Sequence, residues 1–351
     1  MHTKHLYGLD ILRVASALTV VLFHFGFRGE AAGDLPAIDI PELLKAVASY
    51  GYLGVSVFFV ISGFVISYSA ENQSPYDFLV SRFSRIYPTF LILMSLTAVT
   101  IALSSNPRFD VDAQQYVANL FIFSLVLGEP FVDGVYWSIV LEVVFYAWIF
   151  LIIALGQFQR ILTILPVWIA LSFVNEVFIR SNDLQNLFIT EYSVFFCLGI
   201  IINRLIRDFS VYGIALFGLA ATYSLFTAHA GAAWYETAYS VELSRAIIAG
   251  TLITSVAIFV LLVDLKIDGM YWPTVRLLGG ATYGLYLIHQ NIGYIAITAL
   301  LDHIHAIGAI VLVSTALITF SILFHLAIER RINTAVKRFL LASPVRWATR
   351  G

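Results

Sequence analysis

Leu9-Asp10-Ile11-Leu12-Arg13 through Val20-Val21-Leu22-Phe23-His24 is an apolar run carrying one arginine and one histidine eleven positions apart. Eleven residues make about three helical turns, so in a helix both side chains face the same way, with His24 ~16 Å further along the axis. A lone polar residue in such a helix reads as a satisfied core group. Two ionisable residues on one stripe of a membrane helix must face protein or a water-filled cavity, because each is costly in lipid. The run is therefore read as the wall of a site.

Composition supports the membrane assignment. The chain has 351 residues, 60% apolar and 12% charged, and its mean hydropathy is +0.88. Soluble domains are about half apolar and a quarter charged. The net charge of -2 comes with dispersed basic residues, so no nucleic-acid partner is expected. Cys197, the single cysteine, reads as a small buried hydrophobe and leaves neither a disulfide framework nor a thiolate metal site. The first apolar run is longer than a secretory core and nine further candidate spans follow it, so it is read as uncleaved.

Apolar stretches of spanning length fall at roughly 9–28, 50–69, 86–103, 135–155, 161–179, 187–203, 210–228, 246–264, 277–300 and 306–328. The expected fold is all-α, a polytopic bundle of about ten transmembrane helices. Residues 116–127 are apolar but short, and are expected to form an interfacial or re-entrant helix. Fourteen basic residues, among them Lys4, Arg82, Arg85, Lys266, Arg346 and Arg350, fall on the side of the termini, against five on the other. That asymmetry predicts both termini cytoplasmic. Residues 1–332 read as one membrane domain. Residues 333–351 read as a short basic cytoplasmic tail, with Phe339 and Trp347 interleaved, lying on the inner membrane surface.

With this orientation Arg13 lies towards the cytoplasm, and His24 and Glu142 come to similar depth near the outer edge. They form a candidate base and its orienting carboxylate, or a buried structural pair. In Gly54-Val55-Ser56-Val57-Phe58-Phe59-Val60-Ile61-Ser62-Gly63-Phe64 the glycines read as a helix-packing surface, and Ser56 or Ser62 as a cavity donor. Arg82 and Arg85 share a helix face and can hold phosphate groups bidentately; anchoring on the basic side would explain them equally. Trp137 fits an interface belt. His289, within Tyr283-Gly284-Leu285-Tyr286-Leu287-Ile288-His289, reads as a cavity-lining hydrogen-bonding residue, and His325 with Glu329 as an i, i+4 bridge. The dispersed histidines give no compact ligand set, so no metal is expected.

Together these segments resemble the acyltransferase-3 family of integral membrane acyltransferases over nearly the whole length. Arg13 and His24 match its basic-x10-His signature within a Leu-Asp-x-Leu-Arg opening. Phe58 to Phe64 is similar to its Phe-Phe-x-x-Ser-Gly-Phe segment, and Arg82 and Arg85 fit its Arg-x-x-Arg before Ile-Tyr-Pro. Trp137 to Tyr146 resembles Trp-Ser-Leu-x-x-Glu-x-x-Phe-Tyr, and Tyr283 to His289 resembles Tyr-Ser-Leu-Tyr-Leu-x-His. Glu329 lies where the family has a terminal acidic residue. Ile139 replaces a leucine, Gly284 a serine, and Arg330 a common proline.

The resemblance implies acyl transfer, most often of acetyl from acetyl-CoA, to a hydroxyl of a cell-surface or exported carbohydrate or glycolipid, in a bacterial inner membrane. A fused SGNH-type domain is not expected. In that scheme Arg82 and Arg85 bind the nucleotide phosphates and Arg13 guides the pantetheine arm. His24 deprotonates the acceptor and Glu142 orients it. Ser62, Tyr146, Tyr283, His289 and Glu329 are further cavity candidates. Acceptor choice is expected to rest on loops 29–49 and 104–134. Two other readings use the same residues: a proton-coupled transporter of a small polar or glycan-related substrate, and a non-catalytic partner in polysaccharide export.

Overall fold

The computed structural model describes residues 6–71, 73–263 and 272–342. Among these the chain is helix and connecting turn without strand, and ten helices are long and apolar enough to cross a membrane. They are α1 (Tyr7–Ala31), α2 (Glu42–Ala70), α3 (Pro75–Leu103), α4 (Gly134–Ala154), α5 (Phe158–Ile179), α6 (Asn182–Arg207), α7 (Val211–Tyr239), α8 (Arg245–Val263), α9 (Trp272–Leu301) and α10 (Ala306–Ala342). Each expected span falls on one of them. Several helices outrun their apolar stretch, α7 and α10 most clearly, because backbone hydrogen bonding continues past the length that hydrocarbon requires.

Residues 116–127 divide into the end of a short helix, Ala113–Asn119, and a 3-10 turn, Ser124–Leu127. α10 runs through the expected domain boundary at 332/333 as the helix Arg330–Ala342. Lys4, Lys266, Arg346, Trp347 and Arg350 lie outside the described residues.

The chain forms two compact units. The first holds Met1–Gly54, Arg85–Ile139 and Leu261–Ala335; the second holds Val55–Ser84, Val140–Val260 and Val336–Gly351.

In the first unit small residues allow close approach to α1. A Cβ at Gly54 would lie 2.6 Å from Thr19 Oγ1, and one at Gly279 of α9 would lie 2.5 Å from Asp10 Cβ. Loop residues Ile38 and Ile40 bury themselves with Ala306, against Leu44, Leu301 and Ile310.

In the second unit Gly63 and Gly199 are the crossing point of α2 and α6. A Cβ on either would run into a carbonyl of the opposite helix, Phe196 and Val60 respectively. Phe59, Phe145 and Phe196 stack around that crossing, with ring centroids 4.2–4.5 Å apart. The glycines of the second helix are therefore a packing surface, as their spacing suggests.

Candidate active site

α1 is α-helical over Tyr7–Phe23 and then opens into a π turn, His24–Arg28, in which Gly29 N–H bonds His24 O. π turns recur at functional sites, and this one begins at the histidine singled out by the sequence. The His24 ring is buried. Its Nδ1 lies 2.9 Å from Val20 O and 3.1 Å from Nε2 of the fully buried His289. His289 Nδ1 lies 2.8 Å from Tyr286 O.

Carbonyl oxygens only accept, so each Nδ1 carries the proton. His24 Nδ1–H is then shared between Val20 O and His289 Nε2, and in the neutral ring the lone pair resides on His24 Nε2. Arg28, within the π turn, reaches Asp34 at 2.5 Å and the Tyr294 hydroxyl at 3.3 Å. Phe109 stacks on Tyr294 with centroids 6.2 Å apart. Loops 29–49 and 104–134 thus both reach the residues flanking His24.

A second polar group of this unit includes Arg13, eleven residues before His24. Arg13 donates to Asp10 at 2.9 Å, and Asp10 is only 3% exposed. Gly279 makes room for Asp10, and neighbouring Gly280 makes room for the His325 ring. His325 begins another π turn, His325–Glu329, and its Nδ1 is 2.7 Å from Glu329 Oε2. The expected i, i+4 bridge is therefore present, on a π turn. Tyr283 donates to Ile86 O at 3.2 Å, and exposed Arg85 offers its carbonyl to Asn333 Nδ2 at 3.4 Å.

In the second unit Glu142 accepts from Ser62 Oγ at 3.1 Å and from the Tyr146 hydroxyl. The guanidinium of Arg82 sits over the rings of Phe78 and Tyr146, 5.9 and 5.8 Å from their centroids, and donates to Ser81 Oγ. Four expected site residues, Ser62, Arg82, Glu142 and Tyr146, thus form one cluster. The expected pairing of His24 with Glu142 would join the two units; within its own unit His24 has His289.

Reading by motif passed over Asp133, Tyr136, Gln290 and Asn291. All four are buried, and Asp133 and Tyr136 bond α9 at Asn291 and Leu287, on either side of His289 in sequence. Three consecutive polar residues, His289-Gln290-Asn291, inside a span were the signal available.

The family model described as "Acyltransferase domain" matches residues 6–326. The chain belongs to the acyltransferase-3 family. This acyltransferase-3 chain is 31% identical over 146 residues to the acyltransferase MdmB of Streptomyces mycarofaciens, covering 40% of this chain and 37% of that protein. It is 26% identical over 130 residues to YrhL of Bacillus subtilis strain 168, assigned as a peptidoglycan O-acetyltransferase, covering 35% and 18%. It is 29% identical over 169 residues to BcsY of Komagataeibacter xylinus, assigned as a membrane-bound transacylase, covering 43% and 38%. The aligned parts thus span well under half of each of these relatives. No solved structure matches the acyltransferase-3 chain.

Proposed function

We propose that this multi-pass membrane acyltransferase moves an acyl group, acetyl first of all, from acyl-CoA to a hydroxyl of a cell-surface or exported carbohydrate, in a bacterial inner membrane with both termini cytoplasmic. The observation that carries the chemistry is the hydrogen-bonding of His24. With Nδ1–H committed to Val20 O and His289 Nε2, the lone pair of the neutral ring is on Nε2, the acceptor a general base needs; the Gln290 side chain also hydrogen-bonds this imidazole.

His24 Nε2 takes the acceptor hydroxyl proton as the oxygen attacks the thioester carbonyl. The C–O bond forms, the C–S bond breaks, and the CoA thiolate leaves with the proton returned by His24. His289 takes the orienting role that the sequence suggested for Glu142. Glu142 instead fixes Tyr146 and Ser62 beside Arg82, whose charge, with that of Arg85, is assigned to the phosphates of the donor. Arg13, held by buried Asp10, steers the pantetheine arm towards His24. Support for an exported-glycan acceptor comes from YrhL, whose name gives it an acceptor of that kind, and from the two loops that flank His24.

The test is transfer of labelled acetyl from acetyl-CoA by membranes containing the protein, offered a panel of exported glycans. His24→Ala is expected to lose at least about a hundred-fold in transfer, the usual span of general-base catalysis, while CoA binding survives. Equal transfer by both proteins would overturn the base assignment, and CoA bound by neither would overturn the donor.

A further inference from the structure

In an α-helix the N–H of Asn291 faces the carbonyl of Leu287, four residues earlier. In α9, which stays α-helical through this turn, both groups also have partners from another segment. Asn291 N–H donates to Asp133 Oδ2 at 3.0 Å, and the Tyr136 hydroxyl donates to Leu287 O at 3.4 Å. His289 lies between them. The same short segment makes further contacts with this turn: Asn291 Nδ2 donates to Val132 O at 2.9 Å, and Tyr286 Oη to Val135 O at 3.1 Å. Tyr286 Oη is also 2.6 Å from Ser138 Oγ. Gly134 leaves the room that the Gln290 amide fills, since a Cβ there would lie 2.9 Å from Nε2.

Asp133 and Tyr136 are both fully buried, and a buried carboxyl is costly unless its oxygens are satisfied. Asp133 Oδ1 accepts from Val135 N–H, capping the entry to α4, while Oδ2 takes Asn291 N–H. A turn cap alone needs one acceptor, which serine or asparagine supplies. Two acceptors facing two elements are what a carboxyl adds.

We propose that Asp133 and Tyr136 are positioning residues, which grip the Leu287–Asn291 turn so that His289 Nε2 meets His24 Nδ1. They touch neither donor nor acceptor in this scheme. Their catalytic effect passes through His289 to the tautomer and tilt of His24, and that part rests on the acyl-transfer reading above.

Asp133→Asn keeps the size of the side chain but offers one acceptor for two N–H groups, and Tyr136→Phe removes a single hydroxyl. In the full-length protein in nanodiscs, the imidazole 15N resonances of His24 and His289 are expected to shift in both variants. Those of His325, at the other polar group, should stay. With acetyl-CoA as the probe donor, Asp133→Asn is expected to lower kcat about ten-fold, the effect of one strong hydrogen bond, with KM within about two-fold. In a His289→Ala background it should lower kcat no further.

Unmoved imidazole resonances in both variants would overturn the grip. So would an undiminished ten-fold loss without His289, which would mean that Asp133 acts by another route. Tyr136→Phe keeps the question decidable if Asp133→Asn fails to fold. Resonances that shift as expected in a protein with no acetyl transfer would uphold the grip and remove the acyl-transfer reading alone.

Discussion

Asp133 shows how strongly one buried residue can couple the site to pH. Burial pushes its carboxyl up to about 7; the backbone N–H groups of Asn291 and Val135 and the charge of Arg28 pull the other way, and Asp34 adds to the rise. An unfolded aspartate titrates near 4. Between about pH 4 and 7 the folded chain therefore holds a proton that the unfolded chain has released. The stability from this group is complete below about pH 4, falls as pH rises, and is gone above about 7, at a rate of roughly 1 kcal/mol per pH unit. Tyr136 and Tyr294 face the same carboxyl, but tyrosine normally titrates well above this window. Thermal unfolding in one detergent should come earlier from pH 5 to 7 and level off beyond, and Asp133→Asn should flatten that slope. A slope that the variant keeps would assign it to another group.

Among elements, the π turns and the glycine crossings do different jobs. All three π turns among the described residues begin at a polar side chain: His24, Asn175 and His325. Asn175 uses its side chain locally, bonding Ser181 and Thr190, whereas His24 reaches another helix. A wider turn changes which residues share a face, so no 3.6-residue pattern in the sequence announces it. Glycines are easier to foresee but not to rank. Gly199 of α6 lies against the Val60 carbonyl, while Gly218 of α7 has nothing within 4 Å of where a Cβ would stand. Gly199→Ala should cost about 1–3 kcal/mol through overpacking. Gly218→Ala should be neutral or stabilising by up to about 1 kcal/mol, from helix propensity. Paired melting curves give the comparison, and equal shifts would mean that the crossing tolerates a methyl group.

For the whole molecule the proposed orientation follows from the basic residues by the positive-inside rule. Cysteine replacing Arg108, in the loop before α4, should label from outside the cell. Cysteine replacing Arg160, in the first turn of α5, should label only after permeabilisation; the native Cys197 is buried and should stay silent. The reverse pattern would invert the proposed topology and, with it, the side from which donor and acceptor arrive. The number and placement of the spans were determined by the sequence alone, because hydrocarbon demands a long apolar run for each crossing. His24, Arg82, Glu142 and His289 were candidates from the sequence, because ionisable and strongly polar groups stand out in such runs. Partnership was decided only by the tertiary structure. His289 against His24, Ser62 against Glu142, and Asp133 against the Asn291 backbone are contacts between segments far apart in sequence, set by side-chain packing and by where π turns redirect a face. Span periodicity carries neither of these.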